Sequence, residues 1–279
     1  MPGMSKKTIL ITGCSSGIGY DAARRLRGAG WRVFASCRKQ EDCERLRQDG
    51  FESPRIDYSD ADSIINGLAD VLEATNGQLD ALYNNGAFAI PGAVEDLPTD
   101  ALRHIFEANF FGWHELTRAV IPVMRQQGHG RIIQCSSVLG FAAMPWRGAY
   151  NSTKFALEGL TDTLRLELID TPIHVVLIEP GPITSRFRIN AIHQFERWID
   201  WENSALVEKY RKKLRVRLYG STEPDRFELP ASAVSDKLLR ALTAKVPKPR
   251  YFVTTPTFII AALQRVLTTR VLDRIVSKA

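Results

Sequence analysis

Near the start of this chain a short apolar strand runs straight into a glycine-rich turn and then a helix, and few folds begin that way. Thr8-Ile9-Leu10-Ile11-Thr12 reads as a buried strand, and Thr12-Gly13-Cys14-Ser15-Ser16-Gly17-Ile18-Gly19 leads into a helical pattern from about Ile18 to Ala29. Glycines at 13, 17 and 19 let the backbone turn sharply and approach a pyrophosphate. The N-terminus of the helix then offers free N–H groups and the positive end of its dipole to the phosphates. Three glycines can also build a tight turn with no ligand, but the strand–loop–helix setting favours a nucleotide. The spacing G-x-x-x-G-x-G differs from the usual G-x-G-x-x-G, and no Gly-Lys-Ser/Thr follows, which argues against NTP hydrolysis.

The strand–helix alternation continues. Strands are expected at Trp31–Ser36, Ser53–Ile56, Leu79–Tyr83, Arg131–Cys135 and Ile173–Ile178. Helices are expected at Glu41–Gln48, Asp60–Thr75, Thr99–Arg125 and Tyr150–Ile169. This order predicts an α/β fold: a single Rossmann-type, doubly wound parallel sheet with helices on both faces. After Pro180 the character changes. Residues 186–222 are rich in aromatic and charged side chains and read as a helical substrate-lid insertion. Helical patterns follow near Ser232–Leu242 and Thr257–Val276, with a short strand Tyr251-Phe252-Val253 between them. With no repeat and no low-complexity linker, residues 1–279 read as one domain, closed by an amphipathic helix over 256–279.

Composition removes several classes. With 44% hydrophobic and 24% charged residues, the chain is neither disordered nor fibrous. Cys14, Cys37, Cys43 and Cys135 form no C-x-x-C pair and no metal-ligand spacing, so no metal and a reducing, cytoplasmic compartment are expected. No secretory leader is visible, and no apolar run reaches the roughly 18 residues a spanning helix needs. The net charge is +6, and Lys245–Ala279 alone holds seven Lys or Arg against one Asp, which equals the whole excess. A chain-wide nucleic-acid footprint is therefore not expected. The apolar positions Phe258, Ile259, Leu263, Val266, Leu267, Leu272, Ile275 and Val276 leave two outcomes for the tail. It packs on the domain beside the substrate cleft, or it makes peripheral contact with an anionic membrane through its basic side chains.

A dinucleotide fold reads the adenosine ribose at the end of its second strand. Here that strand ends Ala35-Ser36-Cys37-Arg38-Lys39, with two cations and no acid. Arg38 is read as the partner of a 2′-phosphate and Lys39 as a second, which favours NADP(H). Asp57 is placed to meet the adenine amino group, although a turn at Asp57 and a helix cap within Tyr58-Ser59-Asp60 compete with that reading.

Tyr150 and Lys154 stand four residues apart and share a helix face. A neighbouring ammonium and an oxidised nicotinamide both favour the phenolate, which equips the tyrosine to exchange a proton with an alcohol or carbonyl oxygen. Ser137 follows the fifth strand, at the sheet end where ligands bind, and its hydroxyl can polarise the substrate oxygen; Ser136 is the competitor. Asn109 lies inside a helical run that disfavours it, which suggests a local kink, a water-mediated role or a satisfied core amide. Pro180-Gly181-Pro182 breaks the chain and can present backbone groups to a nicotinamide carboxamide. Neither H-E-x-x-H nor G-x-S-x-G is present.

Together these residues resemble the short-chain dehydrogenase/reductase family over about Thr8 to Phe187. The family's Thr-Gly-x-x-x-Gly-x-Gly stands as Thr12 to Gly19, and its Asn, Ser, Tyr and Lys tetrad falls on Asn109, Ser137, Tyr150 and Lys154. The family's Ser-to-Tyr spacing of 13 favours Ser137 over Ser136. The segment Tyr150 to Leu160 is similar to the 17β-hydroxysteroid and retinol dehydrogenase branch. Beside Gly13, Gly17, Gly19, Arg38, Asp57, Tyr150 and Lys154, the resemblance implies cofactor contacts at Ser15, Ser16, Ile18, Tyr58, Asn85, Ile183 and Ser185. Two departures stand out. Asn-Asn-Ala-Gly is Asn84-Asn85-Gly86-Ala87 here, and Pro-Gly-x-Val-x-Thr is Pro180-Gly181-Pro182-Ile183-Thr184-Ser185.

The resemblance implies an NADP(H)-dependent oxidoreductase that interconverts a carbonyl and an alcohol, working mainly as a reductase. It acts as a homo-oligomer, a dimer or tetramer. Phe187, Phe195, Trp198 and Trp201 in the lid, with Phe141, Met144 and Trp146 before Tyr150, suggest apolar walls and a lipophilic small-molecule substrate such as an aldehyde, retinoid or steroid. The same aromatics can instead pack the lid onto the core. An epimerase or dehydratase on this scaffold, and a cofactor-bound regulatory protein without turnover, are the rival readings.

Overall fold

A computed structural model describes residues 6–220 and 227–277. The last two positions of the 186–222 lid and the tail end at Lys278–Ala279 lie outside the described residues. In chain order the elements are β1 (Thr8–Ile11), α1 (Gly17–Gly28), β2 (Arg32–Ala35), α2 (Gln40–Gln48), α3 (Ala61–Ala74), β3 (Ala81–Asn84), α4 (Thr99–Phe106), α5 (Gly112–Gln127), β4 (Gly130–Cys135), α6 (Gly148–Glu167) and β5 (Ile173–Glu179). Then come α7 (Phe187–Trp198), α8 (Val207–Lys209), α9 (Arg215–Tyr219), α10 (Ser232–Thr243), β6 (Arg250–Phe252), α11 (Thr255–Val266) and α12 (Thr269–Val276).

The strands form a single six-stranded sheet in the order β2-β1-β3-β4-β5-β6, with every pair parallel. All four residues of β1 and of β3 are buried, as expected of strands covered on both faces. The order reverses between β2 and β3, on either side of β1. That reversal opens a crevice at the carboxyl ends of β1 and β3, where an open α/β sheet takes its ligand.

Three sequence expectations change in the structure. The expected strand Ser53–Ile56 makes only isolated bridges, Phe34 to Glu52 and Cys37 to Arg55. Pro54 lacks the N–H that a continuous ladder beside β2 would need. The expected helix Thr99–Arg125 is two helices joined by a π-helical turn at Glu107–Phe111, with Asn109 fully buried inside it. A residue that weakens the α-helix therefore sits where the turn widens, in line with the expected kink. The expected single helix over 256–279 is α11 and α12, broken at Leu267–Thr268, both of which are extended. The adjacent β-branched Thr268 and Thr269 disfavour a continuous helix, and threonine suits the N-cap position that Thr268 occupies.

The lid consists of α7 and a second helix in which a π-helical turn, Tyr210–Leu214, joins α8 to α9. Tyr210 anchors it. Its ring is fully buried, its hydroxyl donates to Asp96 at 2.8 Å, and it accepts from the Ala93 amide at 2.9 Å. Phe195 is buried beside Tyr210, with ring centroids 6.1 Å apart. It belongs to a buried cluster with Phe88, Ile90, Ala101 and Ile105 of the body, the packing alternative for this aromatic.

Candidate active site

The glycine turn forms a cradle at the end of β1. Gly13 and Gly17 have φ of +68° and +57°, the left-handed region that glycine enters without strain. Side chains at 13 and 19 have no room: a Cβ on Gly19 would lie 2.3 Å from the Gly13 carbonyl oxygen, and one on Gly13 would lie 2.5 Å from the Gly86 Cα. Asn85 fixes the turn from β3. Its amide nitrogen donates to the Thr12 carbonyl at 3.1 Å, and its backbone N–H donates to the Thr12 hydroxyl at 2.9 Å. No side chain caps α1, so its first N–H groups stay available beside Ser15, Ser16 and Ile18, which are half-buried. Across the cradle, a Cβ on Gly17 would lie 3.0 Å from Ser185 Cβ, which brings the 183–185 segment over the turn. An uncapped helix end faced by glycines is what a pyrophosphate requires, so these residues fit a dinucleotide.

At the adenosine end Arg38 is exposed, while Lys39 pairs with Glu41 at 3.1 Å. Among the described residues Arg38 has no ion pair, whereas Lys39 has a competing partner. Asp57 is half-buried, and its carboxylate accepts from the Ser59 amide at 3.1 Å. Asp60 caps α3 by accepting from the Ser63 amide at 3.0 Å, so the competing cap within Tyr58-Ser59-Asp60 is real. Tyr58 is buried under the turn, sharing a 2.6 Å bond with Thr12 and donating to Asn84 at 2.6 Å. Any contact of Tyr58 with a ligand must therefore come from its backbone or ring rather than its hydroxyl.

Ser137, Tyr150 and Lys154 meet beyond the end of β4. Ser137 accepts from the Leu139 amide at 3.1 Å and donates to the Pro180 carbonyl at 3.4 Å, which ties it to the loop after β5. Ser136 has a buried hydroxyl with no partner. Burial pushes the Tyr150 phenol up, opposed by the Ser137 hydroxyl. The expected lowering by Lys154 together with an oxidised nicotinamide belongs to the cofactor-bound site; in the protein alone burial dominates. Lys154 is itself fully buried, and desolvation brings its ammonium down to about 8. Its Nζ donates to the Cys135 carbonyl at 2.8 Å and lies 5.6 Å from the Tyr150 ring centre. The Asn109 amide is spent on the chain: it donates to the Phe88 carbonyl at 2.8 Å and accepts from the Phe88 amide at 3.1 Å. The satisfied-amide reading describes that side chain.

Of two aromatic neighbours of the site, sequence reasoning named Phe187 as a lid residue and missed Trp113. Trp113, one turn beyond Asn109, lies 4.0 Å from Lys154 Nζ and donates its indole N–H to the Gly86 carbonyl at 2.9 Å. Its place four residues after Asn109 was the only available signal. Phe187, in the first turn of α7, sets its edge against Tyr150 with centroids 5.3 Å apart. Trp146 has φ of +66°, a strained backbone for a bulky residue. Its carbonyl accepts from the Gly92 amide at 3.1 Å, and its ring lies 4.9 Å from that of Tyr210.

The family model for short chain dehydrogenase matches residues 7–195, more than half of the chain. The chain belongs to the short-chain dehydrogenase family. It is 38% identical over 270 residues to the uncharacterized oxidoreductase YbbO of Escherichia coli (strain K12), covering 97% of this chain and 94% of the relative. It is 29% identical over 267 residues to human 17-beta-hydroxysteroid dehydrogenase type 1, covering 90% of this chain and 78% of that protein. Among solved structures, a short-chain dehydrogenase from Streptomyces avermitilis superposes with a TM-score of 0.78 at 30% identity, covering 95% and 94% of the two chains. An oxidoreductase of this family on a Rossmann-type sheet is therefore established.

Proposed function

We propose that this oxidoreductase uses NADP(H) to interconvert a carbonyl and an alcohol on a lipophilic small molecule, chiefly as a reductase. The observation that carries the reading is the meeting of Ser137, Tyr150 and Lys154 beyond β4, at the same sheet end as the glycine turn that leads from β1 into the uncapped α1. The nicotinamide cofactor, when bound, supplies the two-electron exchange with the substrate carbon. Gly13, Ser15, Ser16, Gly17, Ile18 and Gly19 hold its pyrophosphate, Asn85 keeps that turn in shape, and Ile183 and Ser185 close over it. Ser137 and Tyr150 bind the substrate oxygen. Tyr150 carries its proton in the protein alone, and reduction of a carbonyl needs that proton delivered to the substrate oxygen. Lys154 holds the nicotinamide ribose and replenishes the proton. Asn109 fixes the π-turn and Phe88 beside them, and a relay water is assigned to that turn.

Half-buried Phe141, Met144 and Trp146, with Phe187 on Tyr150, support an apolar substrate. A spectrophotometric screen for NADPH oxidation over aldehydes, retinoids, steroids and sugars tests the whole reading. Turnover confined to sugars, or none at all, overturns it.

Cofactor choice rests on Arg38. Arg38→Asp is expected to lower kcat/KM with NADPH and raise it with NADH, because a phosphate partner becomes a hydroxyl acceptor. A wild-type enzyme that prefers NADH refutes the assignment.

The protein is further read as a homo-oligomer with a peripheral membrane contact. Phe155 and Leu166 are exposed on the outer face of α6, a surface suited to a second copy. On α11 and α12, Phe258, Ile259, Val266, Val271 and Ile275 are exposed among Arg265, Arg270 and Arg274. No helix of the described residues is long and apolar enough to cross a membrane. Such a surface lies on anionic lipid with its apolar side chains in the interface. Sedimentation with anionic liposomes is expected to be salt-sensitive and lost in the Arg265→Gln/Arg270→Gln/Arg274→Gln variant. No sedimentation at low salt leaves the two helices as part of the domain alone.

A further inference from the structure

Tyr150, Lys154, Glu158 and Asp162 follow one another at four-residue spacing along α6, so they form one stripe. The first two reach the reacting centre. The next two turn to Arg250 at the start of β6. Arg250 Nη1 donates to both Glu158 and Glu179, and its Nη2 donates to Asp162 at 2.6 Å. Glu179 is fully buried and is the last residue of β5, immediately before Pro180-Gly181-Pro182. One guanidinium thus ties the helix that carries Tyr150 and Lys154 to the root of the loop that Ser137 also touches. Glu158 Oε1 and Glu179 Oε2 are buried with no partner. The turn after Ser137 closes on the first of them: a Cβ on Gly140 would lie 2.9 Å from Glu158 Oε1. Buried ion clusters of this kind contribute little net stability, because desolvation offsets most of the attraction. Their placement one helical turn from Lys154 is the informative part.

We propose that Glu158 and Arg250 are positioning residues of the reaction, Arg250 fixing the Glu158 carboxylate one turn below Lys154 so that the buried ammonium keeps its charge. The inference rests on the reading of Lys154 in the proposed function. Glu158, one helical turn on, is the carboxylate whose charge acts on Lys154. From β4 it meets Cys135, whose thiol burial pushes up; beyond Cys135, on β3, lies Tyr83, whose phenol burial also pushes up. From α5 it meets the Trp113 ring, and from its own helix Tyr150 and Glu158. Desolvation lowers Lys154, while Glu158 and Cys135 act in the opposite direction. Behind Glu158 stand Glu179, Asp162 and Arg250, with Arg165 on Asp162. Glu179 is held well above the ordinary carboxylate range, by burial first and by Glu158 second, which leaves the Arg250 charge to Glu158 and Asp162.

The test reads Lys154 directly. In cofactor-free protein carrying carbon-13 lysine, the Lys154 resonance, assigned by its loss in Lys154→Met, gives a titration midpoint by NMR. Glu158→Gln keeps the shape and removes the charge. It is expected to lower that midpoint by about one to two pH units, the size of one charge a helical turn away in a partly screened interior. The alkaline limb of kcat for carbonyl reduction should move down with it, while the KM for the carbonyl at neutral pH holds. Glu179→Gln alters the acid that burial pushes up and that does not act on Lys154, and should leave both midpoints in place. If Glu158→Gln does not fold, Glu158→Asp is read the same way, with a smaller displacement in the same direction. An unmoved Lys154 midpoint in the folded variant, or an equal displacement in Glu179→Gln, overturns the proposal. Undiminished turnover in Lys154→Met refutes the proposed function instead, so the two failures are told apart.

Discussion

Turnover of the Tyr150→Phe enzyme is expected to fall by about 100-fold or more, the usual contribution of a positioned acid or base, with NADPH affinity unchanged. The substitution removes one oxygen and leaves the ring. The ring is what packs, with Phe187 edge-on at 5.3 Å and Lys154 Nζ at 5.6 Å, so the fold should hold. The lost proton donor has no equivalent beside it. Ser137 can hold the substrate oxygen, but an aliphatic hydroxyl is a far weaker acid than a phenol, and Lys154 turns its Nζ to the Cys135 carbonyl, 5.6 Å from the Tyr150 ring centre. Single-turnover reduction, with NADPH affinity measured by fluorescence titration, separates chemistry from binding. A Tyr150→Phe enzyme with near-native turnover would falsify the role given to the phenol.

The parts of this molecule that were legible in its sequence are those set by local chemistry. The first strand, its glycine turn and α1 follow from an apolar run, residues that tolerate positive φ, and a helical period. The pairing of Tyr150 with Lys154 follows from spacing on one helix. What the sequence hid depends on partners far along the chain. Pro54 reads as a tolerable strand residue until β2 is placed beside it and its missing N–H matters. Phe195 reads as either a substrate wall or a packing residue until its burial beside Tyr210 and Ile105 is seen. The spacing of Tyr150 and Lys154 shows a neighbouring charge but not the burial that pushes the phenol up in the protein alone. Arg250 is nearly a hundred residues from Glu158, and only the β5–β6 pairing brings them together.

Gly13→Ala is expected to unfold the cofactor cradle, and its cause can be isolated. At φ of +68° an alanine is strained by about 1–2 kcal/mol. Its Cβ would also lie 2.5 Å from the Gly86 Cα and 2.9 Å from the Gly86 nitrogen, both backbone atoms that have no rotamer to retreat into. Overpacking of this kind costs about 1–3 kcal/mol, so the two effects together remove a large share of a typical stability of about 5–15 kcal/mol. A sharp drop in the urea midpoint and loss of NADPH binding should follow. The facing residue supplies the control, because Asn84-Asn85-Gly86-Ala87 exchanges the family's last two positions. A Cβ on Gly86 would have its nearest neighbours at 3.4 Å, on Gly13 and the Tyr58 ring, which is ordinary contact. Gly86→Ala should therefore leave the midpoint and NADPH affinity close to wild type. Equal damage from both substitutions would mean that the loop has no room on either side. A Gly13→Ala protein with wild-type stability would mean that the close approach of Gly13 to Gly86 does not shape the cradle.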